Sequence, residues 1–150
     1  MRPWLLLTYK IPREPTAGRV SIWRKLQKLG AVLLHDAIWV LPATATTGHQ
    51  FQWLAAEIRE MKGEANVWRC GQAMEGGDDH LVQLFTRRSD TEYRAILEQL
   101  RARGADRSAA ARRYQQVCAT DYFHSPLGDK VRQALTRLDA TARKRKGGSP

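Results

Sequence analysis

The stretch RVSIWRKLQKLG places Arg19, Arg24, Lys25 and Lys28 around Trp23 in one short segment. Guanidinium and ammonium groups grip phosphate oxygens, and an indole ring can stack on a base or pack into a core. Three further groups share this chemistry: Arg87-Arg88, Arg112-Arg113 beside Tyr114, and the run Arg143-Lys144-Arg145-Lys146. These twelve cations are the candidate nucleic-acid-binding residues. The competing reading is a solvated charged face, with the tryptophans Trp23, Trp39 and Trp53 serving the core.

Other chemistries find less support. His35, His49, His80 and His124 are scattered, and only Asp78-Asp79-His80 brings ligand types together. That cluster follows two glycines and precedes a helical pattern, so helix N-capping accounts for it. The sequence contains no GxSxG, no P-loop and no GxGxxG. Cys70 and Cys118 form no CxxC and are expected as reduced thiols. The expectation is a protein with no catalytic residues, no metal and no cofactor, and hence not an enzyme.

Composition agrees with a folded domain that meets an anion. Of 150 residues, 43% are hydrophobic and 27% charged, with a formal net charge of +10. The excess sits at the ends: residues 1–30 hold seven basic residues against one acidic, and residues 105–150 hold ten against four. Such a distribution suits nucleic acid. No apolar run approaches the ~18 residues of a bilayer span, and WLLLTY is too short for a signal-peptide core. The chain is therefore expected to be cytoplasmic, with no membrane partner.

The elements that must position these cations follow from periodicity. WLLLTYKI reads as a buried strand, closed by Pro12. The basic stretch is an amphipathic helix with Val20, Trp23, Leu26 and Leu29 on its apolar face, stopped by Gly30. In AVLLHDAIWVLPA, His35-Asp36 interrupts an apolar run. A continuous strand would bury two adjacent polar groups, so the pair is expected at a turn or bulge between strands 31–34 and 37–41. QFQWLAAEIREMKG is a second helix, for which Thr47 is a candidate cap, and a last strand lies around Asn66–Gly71. This order is βαββαβ. Beyond it, HLVQLF reads as a short helix, and Ser89 with Glu92 as a capping box opening another helix to about Arg103. A helix follows over about Ser108–Ala119. Ser125-Pro126 then opens the last helix.

The segments WLLLTYKIP, RVSIWRKLQKLGAVLLHDAIWVLPAT, FQWLAAEIREMKGEANVW and DYFHSPLGDKVRQAL resemble the N-terminal region of ChrB, the chromate-resistance regulator, over roughly residues 4–138. The resemblance implies transcription regulation through double-stranded DNA, with chromate as effector. ChrB chains continue into a C-terminal domain, whereas this sequence passes into a basic tail. The strand pair also resembles that of the CRISPR-associated Cas2 proteins. Their nucleases carry an Asp at the end of the first strand, where this chain has Tyr9-Lys10-Ile11, so a metal-dependent nuclease is not implied, but a homodimer is.

The expected architecture is α+β, a ferredoxin-like (Cas2-like) βαββαβ sheet followed by C-terminal helices. Residues 1–104 would form the first domain with its following helix, 105–140 a helical extension, and 141–150 a disordered basic tail. The alternatives to a DNA-binding regulator are a chromate-binding or other oxyanion-binding or detoxifying protein, and an assembly module without catalysis.

Overall fold

The computed structural model describes residues 2–148. The chain divides into two compact units between Val82 and Gln83. The first contains β1 (Trp4–Lys10), α1 (Thr16–Lys28), β2 (Val32–His35), β3 (Ile38–Pro42), α2 (Ala45–Glu60) and β4 (Glu64–Cys70). Its sheet has the order β2-β3-β1-β4 with every neighbouring pair antiparallel. Two split β-α-β units interleaved in this way make the ferredoxin-like fold.

Register explains the core. Leu5 pairs with Leu41, and Leu7 with both Trp39 and Val67, so Leu5, Leu7, Trp39 and Leu41 line one face. All four are buried. Ile22 and Leu26 of α1, and Phe51, Leu54, Ala55 and Ile58 of α2, are buried with them.

The polar interruption at His35-Asp36 is a hairpin. His35 ends β2 and pairs with Ile38, the register shifts between Leu33 and His35, and Asp36 adopts φ 51° in the turn. A short polar side chain tolerates that left-handed conformation better than most. Both side chains face solvent, His35 Nδ1 lying 4.0 Å from Asp36 Oδ2. The expected turn and the expected bulge are thus both present.

Helix ends are specified locally. Gly30 (φ 77°) follows the last turn of α1, with Gly30 N–H donating to Gln27 O and Ala31 N–H to Leu26 O. This is a Schellman arrangement. Thr44, not Thr47, caps α2: Thr44 Oγ1 accepts from Thr47 N–H, and Thr47 Oγ1 accepts from Thr44 N–H. Thr47 is the reciprocal partner, buried because its hydroxyl also donates to Pro42 O. After α2, a Cβ on Gly63 would lie 2.6 Å from Lys10 O and 2.8 Å from Ile58 Cγ2. Gly63→Ala is therefore expected to destabilise the first unit by about 1–3 kcal/mol, measured as a lowered denaturant midpoint.

The second unit is helical. One helix, α3 (Gly77–Arg101), replaces the loop, short helix and capping box expected over residues 76–103. Leu81, Phe85, Ser89, Tyr93 and Ile96 are buried at helical spacing, so the apolar stripe runs straight through Ser89. Ser89 is a small residue in a packed face, not a cap. The division at Val82 falls inside this helix. The unit continues with α4 (Arg107–Thr120), capped by Asp106, and α5 (Pro126–Gly147), capped by Ser125. Tyr93, Ile96, Ala110, Val117, Val131 and Leu135 form its core. Residues 141–147, expected to be disordered, continue α5. Ser149 and Pro150 of the expected tail lie outside the described residues.

A buried polar knot holds this core. Tyr93 Oη donates to Asp121 Oδ2 at 3.0 Å, and Ser125 N–H donates to both Asp121 oxygens. Burial, then the neighbouring Cys118 and Asp121, push the Tyr93 phenol far above its ordinary range. Folding therefore favours the protonated phenol. That contribution is complete below pH ~10, the unfolded value, and declines as alkali drives ionisation. Tyr93→Phe should cost about 1–3 kcal/mol near neutral pH, because Asp121 loses a donor. Denaturant melts of both proteins from neutral to strongly alkaline pH would check it, the gap closing at high pH.

Candidate functional site

Helix α1 presents two adjacent stripes instead of one. Ile22 and Leu26 face the core, with Leu29 partly buried beside them. Thr16, Arg19, Val20 and Trp23 recur at three- and four-residue spacing on the neighbouring stripe and border a cleft. Val20 and Trp23, expected in the core, are 39% and 50% exposed. Trp53 on α2, also expected in the core, is 75% exposed, whereas Trp39 is buried as expected.

The cations of α1 have distinct surroundings. Arg24 and Lys28 are exposed and four residues apart, so they share the solvent side. Lys25 is exposed but its Nζ pairs with Glu57 Oε1 of α2, which offsets its charge. Arg19 lies at the cleft with Lys10 of β1. Lys10, outside the sequence-based set, becomes visible only when β1 and α1 are brought together.

In the second unit the candidates separate further. Arg87 is exposed. Arg88 is half-buried, and that burial lowers its guanidinium pKa while Glu92 and Tyr122 oppose the shift. Arg113 donates to Glu92 Oε2 at 3.1 Å. Arg112 is exposed and borders a groove of about 300 Å³ between α4 and α5, together with Arg107, Arg132 and Tyr114. Arg107 Nη2 pairs with Asp139, and its buried Nε has no hydrogen-bond partner among the described residues. Arg132 donates to Asp129 one turn away. Arg107 and Arg132 escaped the sequence-based set because neither has an adjacent basic residue; only helix pairing assembles the group.

The end of α5 is the most open basic element. Gly128, Val131 and Leu135 are its buried residues, and every residue from Ala140 to Gly148 is exposed. Arg143, Lys144, Arg145 and Lys146 therefore lie on an exposed helix end. Their charge also complements the helix C-terminus.

Among the described residues, no cluster of three or more His, Cys, Asp or Glu could hold a metal, and no helix is long and apolar enough to cross a membrane. Asp78 belongs to the first turn of α3, where its carboxylate accepts from Ala73 N–H (2.7 Å) and the Trp4 indole (2.8 Å). These two bonds, the backbone one foremost, hold its pKa below the usual carboxylate value.

Protein ChrB of Cupriavidus metallidurans is 28% identical over 95 residues, covering 63% of this chain and 26% of that protein. The match thus spans about a quarter of the relative's length. No solved structure matches the chain. The family model described as Protein ChrB, N-terminal, matches residues 19–106, from α1 to the cap of α4. The chain belongs to the ChrB N-terminal family.

Proposed function

We propose that this chain is the DNA-binding part of a transcription regulator of chromate resistance, gripping double-stranded DNA with its basic helices. The observation that carries this reading is the exposed end of α5, four consecutive cations on a helix with no buried residue beyond Leu135. An exposed basic helix suits a duplex because its side chains reach phosphates on either side of a groove. The exposed pair Arg24 and Lys28 on α1 offers a second grip. The formal charge of +10 supplies long-range attraction. The reading includes a cytoplasmic homodimer that binds rather than catalyses, since two copies would match a two-fold symmetric operator.

Fluorescence anisotropy with a duplex of about 30 base pairs tests the reading. Binding that weakens steeply with salt, at roughly 0.9 log units per log unit of salt for each phosphate engaged, supports it. Absence of binding at low salt excludes it.

A second reading, oxyanion binding with chromate as effector, has one observation in its favour. Arg107, Arg112 and Arg132 border a single groove, and guanidinium groups donate well to tetrahedral oxyanions. Titrating chromate and sulfate against Arg112→Gln, followed by thermal shift, separates specific binding from general salt effects.

A further inference from the structure

The cleft beside α1 has features that phosphate gripping does not need. Its volume is about 550 Å³. That lies within the ~300–1,000 Å³ usual for small-molecule sites. Its lining is mainly apolar and aromatic, with Tyr9 and Trp39 from the sheet and Val20 and Trp23 from α1. Trp23 leaves half its surface in solvent where a core position lay one stripe away. An indole so placed suits stacking on a flat partner.

Two polar observations narrow the occupant. Trp39 is only 1% exposed, yet its indole N–H has no hydrogen-bond partner among the described residues. A buried donor left unmade is destabilising, so an acceptor supplied from outside would be stabilising. The ionisable cations at the cleft are Lys10 and Arg19, and the one acid among its lining residues, Asp36, has a side chain 98% exposed. The local balance is therefore positive and invites an anion.

We infer that the cleft between α1 and the β1–β3 strands binds a small planar aromatic anion, its ring against Trp23 and its carboxylate or phosphate beside Arg19 and Lys10. This is a ligand site distinct from the DNA-gripping helix end. Phosphate and carboxylate are recognised by the same cations, so the test carries both.

Isothermal titration of the intact chain with adenosine monophosphate and with 2-naphthoate distinguishes the two anionic groups. Adenosine and inorganic phosphate supply each half alone. At least one aromatic anion is expected to bind with a submillimolar Kd, about tenfold or more tighter than either half. Binding should shift the Trp39 indole N–H resonance, identified by its absence in Trp39→Phe. Trp23→Ala and Arg19→Gln, both at exposed positions, should each weaken binding about tenfold with the melting temperature retained, whereas Glu60→Gln should change nothing. The inference is overturned if neither anion binds with a Kd below about 1 mM, if inorganic phosphate alone binds as tightly, or if the Trp39 resonance stays fixed. No DNA enters the experiment, so its failure would leave the DNA reading untouched.

Discussion

Replacing Arg143, Lys144, Arg145 and Lys146 together with glutamine is expected to weaken DNA binding by roughly tenfold to a thousandfold near 0.1 M salt, according to how many phosphates the four engage. The same change should flatten the salt slope by up to roughly 0.9 for each phosphate no longer engaged. Random and preferred duplexes should suffer alike, because cations on an open helix end meet phosphates before base edges. Stability should barely respond. Every residue from Ala140 to Gly148 is exposed, so no packing is removed. The favourable interaction with the helix C-terminus that disappears is worth about 1 kcal/mol at most. Anisotropy across a salt series and a thermal melt on the same samples check both halves. A large fall in melting temperature would mean that this helix end is part of the fold.

The second large effect is expected at α1. Arg24→Gln with Lys28→Gln should weaken binding to a preferred duplex about tenfold or more, and more than binding to a random one if α1 docks in a fixed register. Lys25→Gln should do less to DNA, since Glu57 already occupies its ammonium. Its cost to stability should stay within about 1 kcal/mol, as for other exposed ion pairs. Equal losses from all three positions would contradict the distinction between free and paired cations on this helix. Competition of the variants for one labelled duplex gives the comparison directly.

The sheet was legible because strand signals are local. Pro12 and Pro42 bound apolar runs, and burying His35-Asp36 mid-strand would be costly, so a hairpin was the readable solution. The antiparallel order followed from the βαββαβ succession. What failed was the assignment of apolar residues to faces. Val20 and Trp23 fit a helical stripe as well as Ile22 and Leu26 do, and periodicity alone cannot say which stripe meets the sheet. Ser89 misled because its pattern with Glu92 is that of a cap, whereas packing favoured a small residue in an unbroken helix. The α5 end was misjudged from composition. Basic residues are good helix formers, and an existing helix extends without a new nucleation cost. The individual cations were visible in sequence, but their partners, Glu57 for Lys25 and Glu92 for Arg113, come from other helices.

The salt dependence of DNA affinity reads out directly whether the basic helices grip phosphates. The intact chain and the variant lacking the four α5 charges would be titrated with the same duplex of about 30 base pairs, from about 0.05 to 0.3 M salt. A steep linear fall of log K with log salt is expected for the intact chain, and a visibly shallower line for the variant. Two parallel lines, or an intact chain whose affinity is indifferent to salt, would contradict it.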